Sequence, residues 1–191
     1  MINLSLEVTG GFYKPFKARV QGGTTTIGEL EEENITPLKR ILYWTVFREV
    51  FPLKIKLKLL NEGEIYYIIR ENLLKDAQRY YLKNASGETI FTYSRAGSRE
   101  ILKADITKPF KIAEIKNSQN QTIALLNTTF GASAFELIDS HKNKICRIEA
   151  KRFSILRGYT QWKIELYSYK DNHPLLTIFT TAVQCLRKQR R

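Results

Sequence analysis

The chain has 191 residues, which is long enough for one domain with a sizeable hydrophobic core and short for two. Hydrophobic residues make up 43% and aromatic residues 12% of it, and this excludes an intrinsically disordered chain, which would lack such apolar surface. Lysine and arginine number 31 against 19 acidic residues, a net charge of +12, so the composition favours an anionic partner such as nucleic acid or anionic lipid. A net positive charge also occurs in proteins that have no anionic partner, and only clustering of the basic residues on the folded surface distinguishes the two cases.

The first strands are predicted near the N-terminus. Asn3 to Val8 alternates as a short strand, and two glycines then break it before the basic, aromatic stretch Phe12 to Val20. We interpret this part as a first hairpin. The next segment, Gln21 to Glu33, shows no periodicity and is predicted to be a polar connection.

A helix is predicted from Thr36 to Val50. Thr36 followed by Pro37 suits an N-cap and first helical position, and apolar residues recur at helical spacing until Pro52. The aromatic content of the segment also suits a pair of strands, so that alternative stays open. As a helix it would present Trp44 and Phe47 outward.

From Leu53 onward the chain is rich in short β runs separated by polar turns, the pattern of a sandwich or barrel. The run from Lys54 to Leu59 alternates strictly, with three lysines on one face. Further strands are predicted at Ile65–Arg70, Arg79–Leu82 and Thr89–Tyr93, and strands continue to about residue 169.

A hairpin pattern occurs three times in this region. Each copy has an aliphatic residue, an Asn or Asp two places later, a polar turn, and then an isoleucine: Leu82, Asn84 and Ile90; Ile115, Asn117 and Ile123; Leu137, Asp139 and Ile145. The Asx side chain is expected to start each turn by bonding nearby backbone. Because the copies are unequally spaced, a meandering antiparallel sheet is favoured over a solenoid.

The last segment, Pro174 to Leu186, contains no charged residue. Its apolar residues recur at helical spacing, and the opposite face holds only threonines and a glutamine. This helix is too short for a bilayer core of about 30 Å, so we expect it to be buried within protein on nearly all sides. The residues predicted to form its apolar surface are Leu175, Leu176, Ile178, Phe179, Ala182, Val183 and Leu186.

These hairpins, followed by one uncharged helix, resemble the tubby C-terminal-like superfamily, which includes the LURP-one-related and phospholipid-scramblase-like proteins. The best matching pieces are FELIDSHKNKICRIEAKR, WKIELYSYKDN and PLLTIFTTAVQCL. The resemblance implies a mostly β fold: a closed antiparallel barrel of about twelve strands around a central helix. The lumen of such a barrel is too wide for side chains alone to fill, and a helix can fill it. A β-sandwich with the helix across one face is the alternative. We treat residues 1–191 as a single tubby-like domain and residues 1–52, with the extra N-terminal helix, as a lineage-specific addition packed on it.

Catalysis is not expected. The sequence has no nucleophile elbow, P-loop, dinucleotide motif or metal-spaced pair, and His141 and His173 are interpreted as polar loop residues. The two cysteines, Cys146 and Cys185, lack paired spacing and are interpreted as buried apolar residues, so no disulfide, metal or cofactor is expected. The first twenty residues contain no signal-peptide core, and we expect a cytoplasmic protein that associates peripherally with membranes.

Several basic residues recur near predicted strand ends, and in tubby proteins a basic patch on the barrel binds phosphoinositide head groups. The resemblance therefore implies a non-enzymatic module that docks on anionic phospholipid or a phosphorylated ligand. The candidates are Lys151, Arg152 and Arg157 first, then Arg147, Lys54, Lys56, Lys58, Arg95 and Arg99. Lysines on a strand also serve to prevent edge-to-edge aggregation.

Two other functions stay open at this point. Single-stranded nucleic-acid binding would use exposed aromatic rings among basic residues, with Tyr13, Phe16, Tyr80 and Tyr81 as candidates. A protein-interaction domain would dock through the predicted Thr36–Val50 helix. The first of these requires that the rings be exposed to solvent.

Overall fold

The computed structural model describes residues 2–9, 15–33, 35, 52–70, 79–97, 105, 107–129, 133–154, 158–170 and 172–188. These residues form twelve strands and one helix. The elements are β1 Ile2–Val8, β2 Lys17–Gly22, β3 Thr25–Glu32, β4 Leu53–Leu59, β5 Ile65–Arg70, β6 Arg79–Asn84, β7 Thr89–Arg95, β8 Phe110–Asn117, β9 Thr122–Thr128, β10 Ala134–Asp139, β11 Lys144–Ser154, β12 Gly158–Leu166 and α1 His173–Lys188.

The strands form one closed antiparallel barrel. Each strand pairs with the next in the chain, and β12 returns to pair with β1, where Leu6 lies opposite Trp162. The predicted meander and the predicted barrel of about twelve strands are both confirmed, and the sandwich alternative is wrong. Closure leaves no open sheet edge among these strands, so the aggregation hazard of an edge strand is removed.

The prediction of a structureless connection from Gln21 to Glu33 is wrong. Residues 17–22 and 25–32 are β2 and β3, joined by a tight turn at Gly23, whose φ is 64°. Period-two alternation is present on β3, with Leu30 and Glu32 buried and Glu29 and Glu31 exposed. The pattern is hard to recognise in the sequence because a glycine and a buried glutamate replace apolar side chains on the inner face.

The first 52 residues supply three strands of the barrel. They are predicted above to be an addition packed on a barrel, whereas β1, β2 and β3 lie between β12 and β4 in the wall. The predicted helix from Thr36 to Val50 lies outside the described residues.

The three repeated hairpins have the same turn geometry. The side-chain Oδ1 of Asn84, Asn117 and Asp139 accepts a hydrogen bond from the backbone N–H four residues later, at 2.9, 2.9 and 2.8 Å. The third residue after each Asx has a positive φ: 87° at Gly87, 62° at Asn120 and 66° at Lys142. The predicted Asx-initiated turns are therefore confirmed, and they fix the register of each hairpin.

The two ends of the barrel differ in the length of their connections. At one end the strands are joined by turns of two to five residues, such as 23–24 and 118–121. At the other end the connections include the long segments 33–52 and 96–109. We call these the turn end and the loop end. Because β12 reaches the turn end, α1 enters the barrel there and runs toward the loop end.

Helix α1 fills the barrel. Its residues from Leu175 to Leu186 are all buried, and this stretch covers roughly three turns, so no side of the helix faces solvent. The apolar residues predicted for the central helix are all among them. Thr180 and Thr181 are also buried, and their hydroxyls donate to the carbonyls of Leu176 and Thr177, at 2.8 Å each. These internal bonds satisfy polar groups that burial would otherwise leave at a cost.

The helix contacts strands on several sides of the wall. Phe179 stacks on Phe91 of β7 with ring centroids 6.4 Å apart. On the β12 side, the buried side chain of Trp162 lies beside the thiol of Cys185. These contacts place the helix inside the wall rather than across one face. No helix within the described ranges is both long and apolar enough to cross a membrane.

Candidate anion-docking surface

The three predicted lysines of β4 lie on the outer face of the barrel, beside glutamates of β3. Lys58 lies opposite Glu29 and Lys56 lies opposite Glu31 in the strand register. Lys54, at the start of the strand, has its Nζ 3.1 Å from a carboxylate oxygen of Glu33 and 4.2 Å from the ring centre of Tyr67. Each lysine therefore has a carboxylate beside it, at ion-pair distance for Lys54 and as the register neighbour for Lys56 and Lys58.

The β3 glutamates also pair with basic residues of β2. Arg19 lies opposite Glu29, with 3.8 Å between their charged groups, and the Nζ of Lys17 forms an ion pair with Glu31. Opposite charges thus alternate across three neighbouring strands, an arrangement that favours cross-strand pairing. These cross-strand pairs stabilise the strand register, and they leave the basic residues less available to bind an anion.

The predicted residues on β11 have a different environment. Lys151 pairs with Glu149, 2.8 Å away, and this hydrogen bond lowers the pKa of the Glu149 carboxyl. Arg147 and Arg152 are both exposed, and neither has a carboxylate within ion-pair distance in the described part of the chain. Arg147 lies opposite Glu136 and Glu165 in the strand register, and these carboxylates are instead 2.9 and 2.7 Å from Lys144 and Lys163. These two arginines are the members of the predicted set best placed to bind an anion.

Arg147 also lines a shallow depression in the outer wall. The depression has a volume of about 220 Å³, lies between β9, β10 and β11, and includes Asn127 and Thr129 in its lining. A guanidinium, an amide and a hydroxyl are hydrogen-bond donors suited to phosphate oxygens. The lining also includes Glu136, whose charge is offset by Lys144 at 2.9 Å.

The structure does not bring the whole predicted set together. Strands β4 and β11 are separated by four strands in one direction and by six in the other, so their basic residues lie on nearly opposite sides of the barrel. Arg95, at the end of β7, lies opposite the buried Ala113 and shares the inner face with Tyr93. Arg99 and Arg157 lie outside the described residues.

The aromatic residues proposed for nucleic-acid stacking are mostly buried. Phe16 and Tyr80 have exposed fractions of 0% and 2%, Tyr81 is half-buried, and Tyr13 lies outside the described residues. Because stacking requires an exposed ring face, the rings of Phe16 and Tyr80 are not available to stack on bases.

Two exposed tyrosines were missed in the sequence analysis. Tyr167 and Tyr169 follow β12 directly, with exposed fractions of 43% and 72%. The signal was the two-residue spacing in WKIELYSYKDN, which continues the outward face of β12 beyond the end of the strand.

Within the described residues, no group of three or more His, Cys, Asp and Glu side chains could hold a metal ion, so neither histidine belongs to such a group there. The N–H of His141 takes part in the Asp139 turn, and the ring of His173 contacts the hydroxyl of Ser168 at 3.1 Å.

The chain was compared with models of known families, with curated proteins and with solved structures, and none of the three comparisons gives a match.

Proposed function

We propose that this chain is a non-enzymatic binding module of the tubby-like kind that docks on anionic phospholipid through basic residues of its outer wall. The support for the tubby-like assignment is architectural: a closed barrel of twelve antiparallel strands surrounds one buried, uncharged C-terminal helix. Because the helix occupies the interior, a ligand the size of a head group has to bind outside the wall or at an end of the barrel.

The single observation that carries the docking proposal is the environment of the two β11 arginines. Arg147 and Arg152 project from one strand, and within the described residues neither has a carboxylate within ion-pair distance, whereas Lys54 is paired with Glu33 at 3.1 Å. Glu136 and Glu165 lie opposite Arg147 in the register, but their carboxylates are engaged by Lys144 and Lys163. An arginine without a carboxylate partner can form bidentate hydrogen bonds to a phosphate without first breaking an ion pair. The depression beside Arg147 can accommodate a phosphate group.

Vesicle flotation tests the proposal. Vesicles of neutral phosphatidylcholine are compared with vesicles that also contain phosphatidylserine or a phosphoinositide, at two salt concentrations. The chain should float with the anionic vesicles only, and less at high salt because the attraction between charges is screened. Equal recovery with neutral and anionic vesicles would show that the proposal is wrong.

A pair of matched variants locates the surface. Arg147→Ala with Arg152→Ala removes two positive charges from β11, and Lys17→Ala with Lys54→Ala removes two from cations already paired with glutamates. Each basic residue near an anionic membrane contributes about 1 kcal/mol, so the β11 pair should weaken binding roughly thirty-fold. The control pair should weaken it much less, and equal losses would show that only the net charge matters.

The same chemistry would recognise a soluble phosphorylated ligand. An excess of inositol trisphosphate separates the two sources of phosphate. If the ligand is a lipid at a surface, the soluble head group should release the chain only partly, because it lacks the other charges of the vesicle. Complete release at micromolar concentration would instead identify a phosphorylated small molecule as the ligand.

A further inference from the structure

Exposed apolar side chains are concentrated at one place on the barrel. Four large hydrophobic residues among those described have an exposed fraction of 40% or more: Ile2, Leu60, Tyr167 and Tyr169. Three of the four are neighbours, because Ile2 lies opposite Leu166 in the register and the tyrosines follow Leu166 in the chain. Leu60 lies in the turn after β4, on another side of the barrel.

The tyrosines are held in place by the backbone around them. The N–H groups of Tyr167 and Ser168 both donate to the carbonyl of Ile145, at 2.9 and 3.3 Å. The phenolic OH of Tyr167 donates to Glu165 at 3.0 Å, so this ring is fixed near the wall. Tyr169, with 72% of its surface exposed, projects furthest of the four. On the other side of Tyr169, the carbonyl of Lys170 accepts a hydrogen bond of 2.7 Å from the N–H of His173.

Cations outnumber carboxylates at this end of β11 and β12, and Arg147 and Lys144 interact electrostatically with Tyr167. We define the turn-end patch as the three neighbouring apolar residues with five cations and three carboxylates: Ile2, Tyr167, Tyr169, Lys142, Lys144, Arg147, Lys163, Lys170, Glu136, Asp139 and Glu165. Every carboxylate is already engaged: Glu136 with Lys144, Glu165 with Lys163, and Asp139 with backbone N–H groups of its turn.

The remaining cations of the patch are Lys142, Arg147 and Lys170. All three are exposed, and in the described residues none of them has a carboxylate within ion-pair distance. Lys142 and Lys170 therefore add positive charge at this end of the barrel, and the charge of Arg147 is partly offset by Glu149 and Glu165.

We propose that the turn-end patch is the face that rests on the membrane, with the ring of Tyr169 inserted at the level of the lipid head groups. This inference rests on the proposed docking on anionic phospholipid. A tyrosine has an apolar ring and a polar tip, and it therefore favours the boundary between hydrocarbon and water. Neighbouring lysine and arginine side chains attract the anionic head groups around it. Charge complementarity favours an anionic membrane as the occupant over an apolar protein surface.

A fluorescent label at position 169 tests the insertion. The native cysteines, Cys146 and Cys185, are fully buried, so a cysteine introduced by Tyr169→Cys can be labelled selectively with a polarity-sensitive dye. Leu60→Cys is the control, because Leu60 is also exposed at the same end of the barrel but lies outside the patch. With phosphatidylserine vesicles, the dye at 169 should brighten and shift to the blue, and the dye at 60 should stay as in water.

Affinity provides a second measurement. Tyr169→Ala should weaken vesicle binding roughly three- to ten-fold, Tyr169→Trp should preserve it, and Leu60→Ala should have no effect. If the unlabelled chain floats with anionic vesicles but the emission of the dye at 169 remains that of an aqueous environment, this inference is wrong and the proposed function stands. If the chain does not float at all, the proposed function fails as well. A shift of the dye at 169 with a single-stranded oligonucleotide, and none with vesicles, would overturn both in favour of a nucleic-acid surface.

Discussion

The phenolic oxygen of Tyr93, on β7, accepts a hydrogen bond of 2.7 Å from the guanidinium of Arg187, 94 residues later in the chain. The same oxygen accepts a second bond of 2.7 Å from the side-chain amide of Gln184. Tyr93 is completely buried, and burial raises the pKa of its hydroxyl, an effect that the nearby Arg187 charge opposes. This one oxygen therefore fixes the last turn of α1 against the wall at the loop end.

Removing that oxygen should destabilise the fold. Tyr93→Phe leaves the ring in place but deprives the buried amide of Gln184 of its acceptor. An unsatisfied buried donor costs about 1–3 kcal/mol, so the free energy of unfolding in urea should fall by that amount. Tyr169→Phe, which removes a hydroxyl from an exposed ring, is the control and should change stability by less than about 0.5 kcal/mol. Similar stability of the two variants would mean that the bonds to Tyr93 do not hold the helix.

The parts of the fold that sequence could predict are those that local periodicity encodes. The alternation from Lys54 to Leu59, the Asx turns and the uncharged stretch before Arg187 each carry their signal within a few residues. β3 was missed because its inner face includes Gly28 and the buried Glu32, which interrupt the apolar half of the pattern. Glu32 is stabilised there in part by the backbone N–H of Phe16, a partner 16 residues away.

The candidate surface was less predictable because charge compensation depends on strand pairing. Nothing in the sequence around Lys56 indicates that Glu31, from a separate strand, lies beside it. The exposure of Tyr169 depends on where β12 ends, and strand boundaries are poorly encoded by local pattern. Arg147 was a candidate from the start, but its environment became clear only from the register of β10, β11 and β12.

The Asp139 turn contains a backbone position that could be improved. Lys142 has a φ of 66°, and the equivalent positions of the other two hairpins hold Gly87 and Asn120. A side chain with a Cβ is strained in this left-handed region by roughly 1–2 kcal/mol, and glycine is not. Lys142→Gly should therefore raise the free energy of unfolding by up to about 1 kcal/mol, the remainder being lost to the greater freedom of glycine in the unfolded chain.

The reverse change at the equivalent position is the control. Gly87→Ala should lower stability by about 1 kcal/mol, although the structure leaves open space around a Cβ at that site. Urea unfolding of both variants measures the two effects. If Lys142→Gly is destabilising, the left-handed backbone is not a source of strain in this turn.

Alkaline pH should destabilise the protein through its buried thiols. Burial raises the pKa of Cys146 from an ordinary value of 9.0 to about 12, and it raises that of Cys185 as well. Above pH 9 the unfolded chain loses these protons and the folded chain keeps them, so stability present at neutral pH should fall as the pH rises toward 12. Each thiol contributes a slope of at most about 1.4 kcal/mol per pH unit.

Cys146→Ala should make this alkaline slope shallower, measured as the free energy of unfolding between pH 7 and pH 10.5. The buried hydroxyl of Tyr93 acts in the same direction, so part of the slope should persist. A slope that does not change in Cys146→Ala would indicate that this thiol ionises as easily in the folded state as in the unfolded state.

The glutamates of β3 should determine how strongly the opposite side of the barrel attracts anions. The carboxylate of Glu31 pairs with Lys17 and lies opposite Lys56, so Glu31→Gln releases two cations on one face. Glu62, in the exposed turn after β4, has no cation within ion-pair distance among the described residues, and Glu62→Gln makes the same change in net charge. The salt concentration that elutes each variant from a phosphate-bearing resin should rise more for Glu31→Gln, while its stability changes by less than about 1 kcal/mol. Equal elution of the two variants would mean that net charge, and not pairing with the β3 glutamates, governs anion binding. The β4 lysines and the β11 arginines would then be equally available to an anion.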